Sequence, residues 1–301
     1  MKVDYDVIVV GGSFAGLSAA MQLARARRRV LVVDGRKPRN RYAERSHGFF
    51  GQDGKAPAQI VAEAQAQLTA YPGASVIAGK VDSAQSLDGH FVVTLDDGSR
   101  HAGARVILAT GIRDELPALA GLQERWGLTV MHCPYCHGFE VAGRALGVLA
   151  TSPLSIHQAM LIPDWGPTTW FTQGIVEPTA EETAALQARG VRIEPAPVVE
   201  VLGEAPAITG LRLDDGRVVA IDALFVGTRT HMASDLPDQL GCAYDDGPMG
   251  PVVRVDGWGQ TSVPGVFAAG DMAVLMTNAT FASASGVKAG VAAHRSLIFK
   301  D

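Results

Sequence analysis

Short apolar runs closed by glycine or by an acid recur along this chain and divide it into strand-sized and helix-sized pieces. Val7-Ile8-Val9-Val10 runs into Gly11-Gly12-Ser13-Phe14-Ala15-Gly16, and behind that turn Leu17, Ala20, Met21 and Ala24 fall at helical spacing. A second run, Val30-Leu31-Val32-Val33, stops at Asp34. Residues 56–70, with Ala58, Ile60, Val61, Ala64 and Leu68, predict a helix, and strands are expected at 75–81, 91–95 and 105–109, the last entering Ala109-Thr110-Gly111. Past 113–117 the composition shifts. Strands are then expected at 145–149, 168–172, 191–193, 211–213 and 217–220, with a helix over 179–189, and Ala223-Leu224-Phe225-Val226-Gly227 leads back to the first region. The closing part reads as an apolar strand up to Gly270-Asp271 and a helix over 278–297. The expected division is 1–112, 113–230 and 231–301, the first and last segments forming one domain split by the second.

Strand, glycine turn, helix, strand and terminal acid, in that order, make a dinucleotide-binding unit. Gly11 permits the sharp turn. The helix behind it offers unpaired N–H groups and the positive end of its dipole to a pyrophosphate, and Asp34 stands where a ribose hydroxyl would be bound. Ser13 occupies the place of the fingerprint's middle glycine. Arg36, Arg39 and Arg41 follow the acid, a cluster that reads equally as a solvated loop or as contact with an adenosine end. Ser46-His47-Gly48-Phe49-Phe50-Gly51 reads as a loop near a planar ligand.

Composition narrows the class. The 301 residues suffice for two domains, and 47% hydrophobic against 19% charged residues argues for a substantial core. A net charge of −5 and a pI near 5.9 argue against a nucleic-acid partner. No apolar run approaches the ~20 residues of a membrane span, and no signal-peptide pattern precedes the first strand, so a cytoplasmic protein is expected.

The candidate chemistry lies in Met131-His132-Cys133-Pro134-Tyr135-Cys136-His137-Gly138-Phe139-Glu140. Cysteines two residues apart can close and reopen a small disulfide ring, a two-electron store whose reactive form is the thiolate. His137 adjoins the second cysteine, where an imidazole can take or return a thiol proton. Half of a zinc site and a structural disulfide are the competing readings. The chain has one further cysteine, Cys242, which reads as a buried small hydrophobe, and no second pair; no metal is expected. Phe49, Phe50, Tyr135 and Phe139 are candidates to line an apolar substrate pocket, with core packing an equal alternative for Phe139.

After the strand at 145–149 a second dinucleotide fingerprint would be expected, and Ala150-Thr151-Ser152-Pro153-Leu154-Ser155 stands there instead. A Cβ at each position pushes a pyrophosphate away from the backbone that should hold it. No lysine or arginine occurs from Ala145 to Ala188, so a 2′-phosphate has no obvious partner in that stretch.

In the order of these features the chain resembles the low-molecular-weight thioredoxin reductase family of flavoproteins over essentially its whole length. The resemblance implies two doubly wound, Rossmann-like α/β domains, an FAD domain split by a nucleotide-binding-like domain that carries the cysteine pair, and a homodimer. It implies that Gly11, Gly12, Ser13, Phe14, Ala15 and Gly16 surround the FAD pyrophosphate and that Asp34 holds the adenosine ribose; Gly35, Arg36, Arg41 and His47 are further cofactor candidates, His47 reading equally as a satisfied loop histidine. Val81 would meet adenine, while Ala109, Thr110, Gly111 and Gly270 line the cofactor. Asp271 would take the ribityl chain, and Asn278, Ala279 and Thr280 would approach the ring. Cys136 would face the flavin and Cys133 would exchange with substrate. In place of the family's aspartate after the second cysteine stands His137, and the middle domain lacks the glycines and arginines for NADPH. Both departures resemble a branch of dithiol oxidases such as those of gliotoxin and holomycin metabolism. The expected activity is therefore an FAD-dependent oxidation of a dithiol substrate through Cys133–Cys136 with dioxygen as acceptor. The alternative is a thioredoxin reductase with weakly bound NADPH or another electron partner, acting on a thioredoxin-like disulfide. A flavin-bound sensor without turnover is the third reading.

Overall fold

The computed structural model describes residues 3–299. Two compact units emerge. The first comprises the residues up to Arg41, Ala56–Arg113 and Thr230 onward; the second comprises Tyr42–Lys55 and Asp114–Arg229. The chain thus crosses between units near 113 and 229, and residues 42–55, which the sequence places inside the first segment, pack with the second unit.

In the first unit, β1 (Tyr5–Val10), α1 (Phe14–Arg25), β2 (Val30–Asp34), α2 (Pro57–Thr69), β3 (Ala74–Ala78), β4 (Val81–Leu87), β5 (His90–Leu95) and β6 (Arg100–Leu108) build a sheet in the order β3-β2-β1-β6-β5-β4. β1, β2, β3 and β6 run parallel, whereas β5 pairs antiparallel with both β6 and β4. The nine residues of β6 serve two partners along one edge: Arg100–Gly103 pair with β5, while Val106–Leu108 pair in parallel with the strand Val266–Ala268. Parallel strands buried on both faces read as continuous apolar runs rather than alternations, and Val7–Val10 and Val30–Val33 are buried throughout. The expected strand at 75–81 is two strands. β3 ends at Ala78, and Val81 opens β4, whose Asp82, Ser83, Gln85 and Ser86 gave no apolar run to detect.

One face of this sheet is covered by α1 and the long helix Ala279–Ser296. They approach closely because both present small residues: a Cβ on Gly286 would fall 2.1 Å from the Ala15 carbonyl oxygen.

The second unit holds a five-stranded parallel sheet in the order Arg192–Glu194, Thr168–Phe171, Leu146–Leu149, Ala223–Val226, Val130–Met131. A three-stranded antiparallel sheet of Val198–Leu202, Gly210–Leu213 and Val218–Val219 packs beside it. The helix Ala180–Ala188 opens with a capping box in which the Thr179 side chain accepts from the Glu182 N–H and Glu182 accepts from the Thr179 N–H. A seven-residue helix, Ser155–Leu161, follows the strand at 146–149; its length and lack of a capping side chain left it without a signature. Among the described residues, no helix is long and apolar enough to cross a membrane.

Candidate functional site

In the first unit the carboxyl ends of β1, β2, β6 and Val266–Ala268 come together, the position where open α/β sheets bind ligands. Hydrogen bonds stitch the ends: Gly11 N–H to Val33 O at 2.8 Å, Ala109 N–H to Val10 O at 2.8 Å and Ala269 N–H to Leu108 O at 2.9 Å. Gly11 sits at φ +111°, and a Cβ there would lie 2.2 Å from the Ala109 carbonyl oxygen. A Cβ on Gly16 would meet Gly11 O at 1.8 Å, and one on Gly12 would meet the Asp34 side chain at 2.6 Å. These three positions exclude any side chain. Ser13 does not share that constraint: it is the N-cap of α1 with extended backbone (φ −104°), so a serine fits where the fingerprint usually has glycine. Phe14 and Ala15 open α1, whose N-terminus lies just beyond the turn.

Asp34 is held by two donors, the Arg36 N–H to Oδ1 at 2.9 Å and Gln65 Nε2 to Oδ2 at 3.1 Å. Beside it, Arg36, Ala62, Gln65, Ala66, Thr69, Val76, Ile77 and Ala78 complete the lining of a cavity of about 330 Å3. Gly35 lies in the bend after β2, with Arg36 behind it at positive φ, and Val81 is buried at the start of β4. The Arg41 guanidinium turns back onto the Pro38 carbonyl at 3.0 Å. Arg39 is the arginine that reaches the strand ends: its Nη1 donates to Asp271 Oδ2 at 3.1 Å and to Thr277 Oγ1 at 3.0 Å. Arg39 was visible in sequence only as one of a basic cluster, and Gln65 not at all, since their partners lie 232 and 31 residues away.

Thr110 Oγ1 lies 2.9 Å from Ser234 Oγ, Gly111 follows at φ +71°, and the Gly270 N–H donates to Ser285 Oγ at 2.9 Å. Asn278 caps the final helix, its Oδ1 accepting from the Phe281 N–H at 2.7 Å, with Ala279 as the first helical residue and Thr280 exposed. The turn whose glycines exclude any side chain, the anchored acid with its cavity and the open helix N-terminus fit a dinucleotide pyrophosphate and ribose.

In the second unit, Cys133 and Cys136 form a disulfide with their Cα atoms 5.4 Å apart. Cys133 is the extended N-cap (φ −106°) of a single helical turn, Pro134–His137, with proline at the first helical position, where its missing N–H costs nothing. The turn is fixed from three sides. Gln158 Nε2 donates to the His132 carbonyl at 2.9 Å, Tyr135 meets the Trp165 ring edge-to-face at 5.6 Å, and Gly138 lies so close to the Trp165 indole that a Cβ would be 2.7 Å from its Nε1. Burial pushes the His137 imidazole below its ordinary pKa; the Glu140 carboxylate opposes that shift and His47 adds to it. The result is a largely neutral imidazole at pH 7 beside Cys136, a proton acceptor in the correct form.

His47, expected near the cofactor, belongs to this second unit, and its ring meets Glu140 and Asp53. Phe50, Tyr135 and Phe139 are exposed, so Phe139 is no core residue. Cys242 is buried, as its apolar surroundings suggested, and its thiol donates to Thr261 Oγ1 at 3.7 Å.

At the turn after Leu146–Leu149, the Thr151 hydroxyl donates to the Gly227 carbonyl, bridging the ends of two adjacent parallel strands. A Cβ on Gly227 would lie 3.6 Å from both Thr151 Oγ1 and Gln158 Oε1. The Thr151 side chain thus lies across the ends of these two strands.

Comparison with known proteins agrees with this arrangement. Residues 5–149 and 174–286 match the pyridine nucleotide-disulphide oxidoreductase family. The chain belongs to that family. Its relatives include thioredoxin reductase tcpT of Claviceps purpurea, 32% identical over 97% of this chain and 94% of the relative, and thioredoxin reductase sirT of Leptosphaeria maculans, 32% identical over 95% and 92%. An oxidoreductase from Agrobacterium tumefaciens has the same fold over 100% of both chains, with a TM-score of 0.95 and 48% identity. This pyridine nucleotide-disulphide oxidoreductase is thus a thioredoxin reductase-like, flavin-dependent disulfide oxidoreductase, and its cofactor is FAD.

Proposed function

We propose that the protein is a dithiol oxidase that works without NADPH and uses dioxygen as the final electron acceptor. The observation that carries this reading is the turn at Ala150–Ser155, where Thr151 is bonded across to Gly227 and no glycine or arginine is offered to a nucleotide phosphate. FAD would be held by the backbone of Gly11–Gly16, by Asp34 at the ribose, and by Asp271, itself steadied by Arg39. When bound, it supplies the two-electron acceptor that connects the cysteine pair to dioxygen.

The protein's own part begins with proton removal. A substrate thiol loses its proton to the neutral His137 imidazole, and the thiolate attacks Cys133 Sγ in line with the disulfide bond, releasing Cys136 as thiolate. A second substrate thiolate attacks the mixed disulfide and releases Cys133. The substrate leaves as a disulfide, and two electrons remain on the cysteine pair as two thiols. Tyr135 between the cysteines and Phe139 three residues beyond them are exposed, as is Phe50, and would offer apolar surface to a small dithiol. The family resemblance further supports a homodimer, and a catalytic dithiol supports a cytoplasmic home.

A second reading, a thioredoxin reductase with another or weakly bound electron donor, is favoured by the names of the fungal relatives. Mixing the FAD-loaded protein with NADPH without oxygen separates the two. Unchanged flavin absorbance, together with hydrogen peroxide and oxidised dithiothreitol formed under air, is the expected result; prompt bleaching by NADPH would overturn the oxidase reading.

A further inference from the structure

The loop at 42–55 is carried by the first segment of the chain yet packs within the unit that bears the disulfide. It is a closed structure. The Ser46 N–H donates to Lys55 O at 2.8 Å, the Gly54 N–H to Ser46 O at 2.9 Å and Arg45 Nη1 to Gly54 O at 2.9 Å, while Asp53 Oδ1 accepts from the Gly48 N–H at 2.8 Å. Its near end is seated by Tyr42 against Gly127, where a Cβ would come within 2.6 Å of the Tyr42 Cβ. The loop presents one ionisable ring to the dithiol segment. His47 Nε2 lies 3.4 Å from Glu140 Oε1, and on its other side Nδ1 lies 3.6 Å from Asp53 Oδ2. Glu140 is three residues beyond His137 and acts on it electrostatically, as does His47 itself.

The exchange chemistry gives this arrangement a use. One turn converts a substrate dithiol and the enzyme disulfide into a substrate disulfide and two enzyme thiols. One S–S bond breaks, one forms, and two electrons pass to enzyme sulfur. Both substrate thiols must be deprotonated before they attack. Two protons leave substrate sulfur, one in each attack. Cys136, released as thiolate in the first, can take the first proton back from His137. When the second thiol ionises before that return, His137 is already charged and a second acceptor is needed. We propose that His47, delivered by the 42–55 loop and joined to the dithiol segment through Glu140, is the second proton acceptor of the exchange reaction alongside His137. The charged groups facing His47 are Asp53 from its own loop and, from the dithiol segment, Glu140 and beyond it His137; Arg45 is turned away to the Gly54 carbonyl. An imidazole between two carboxylates can pass a proton to either, and Asp53 opens to solvent at 69% side-chain exposure.

This inference rests on Cys133–Cys136 being the exchanging pair, and its test reads the disulfide directly. Oxidised, FAD-loaded protein is mixed with dithiothreitol without oxygen, quenched with iodoacetamide at intervals, and the alkylated cysteines are counted by intact mass at pH 6, 7, 8 and 9. His47→Asn is expected to open the disulfide about tenfold more slowly than wild type at pH 7, less than the full loss of an acid–base group because His137 remains. That deficit should shrink to under about twofold at pH 9, where the reagent's own thiols ionise without help. Glu140→Gln carries the same expectation and leaves the loop's internal hydrogen bonds intact, so a folding defect confined to the histidine variant does not shelter the proposal. Wild-type rates in both variants at pH 7, or slowing by one constant factor across the whole pH range, would overturn it. A wild-type disulfide that dithiothreitol fails to open at any pH would instead overturn the exchange reading beneath it.

Discussion

Arg39 offers the sharpest quantitative test of how the first unit is assembled. Its guanidinium bonds both Asp271 Oδ2 and Thr277 Oγ1, and the two charged side chains are only 20% and 19% exposed. Arg39→Met keeps much of the apolar stem and removes the charge. Breaking a fully buried pair from one side costs about 3–5 kcal/mol because the remaining ion is left desolvated. Here water still reaches both groups, and a hydrogen bond to a charged group is typically worth about 1.5–3 kcal/mol. A loss of about 2 kcal/mol follows, or roughly 4–8 °C in melting temperature for a unit of this size. The assay is a double-mutant cycle of Arg39→Met and Asp271→Asn on the FAD-loaded protein, read by urea unfolding and by FAD released on dilution. If the pair is direct, the double variant is less destabilised than the sum of the singles by about 1–2 kcal/mol. Wild type should also retain FAD better than the Arg39→Met variant. Additivity to within about 0.5 kcal/mol would refute a direct Arg39–Asp271 interaction and leave the arginine as a surface charge.

Two further outcomes are expected. Glu194 is buried and accepts two hydrogen bonds from Arg217, at 2.8 and 2.9 Å, which hold its carboxyl below the usual carboxylate range. Because its folded pKa is depressed, its stabilising contribution is complete above the ordinary carboxylate pKa and drains away as pH falls through the lower folded value. Acid unfolding followed by circular dichroism should therefore begin at higher pH in Arg217→Ala than in wild type, and coincident curves would contradict the pairing. Burial pushes the Cys242 thiol above its ordinary pKa, so at pH 8 the fully reduced native protein should take iodoacetamide at Cys133 and Cys136 well before Cys242. Equal labelling of all three would show that Cys242 is not enclosed as described.

Much of the local architecture was legible in the one-dimensional pattern. The runs Val7–Val10 and Val30–Val33 announce parallel strands because strands buried on both faces admit no polar alternation, and Gly11 and Gly16 announce the turn because nothing larger than hydrogen fits against Ala109 and Gly11. The cysteine spacing and the missing glycines at 150–155 were equally plain, since both act through residues adjacent in sequence. What escaped was either polar or distant. β4 carried no apolar run, and the helix Ser155–Leu161 no cap.

Long-range partnerships belong to the tertiary structure alone. Composition and spacing establish that a dinucleotide turn and an exchangeable sulfur pair exist, because the backbone conformations they demand are local. That Arg39 grips Asp271, that Thr151 bridges the strand ends to Gly227, and that a loop from the first segment lays His47 against Glu140 are decided by which chain ends the sheets bring together. No periodicity encodes a contact between residues as far apart in the chain as His47 and Glu140; only the packing of the folded units does.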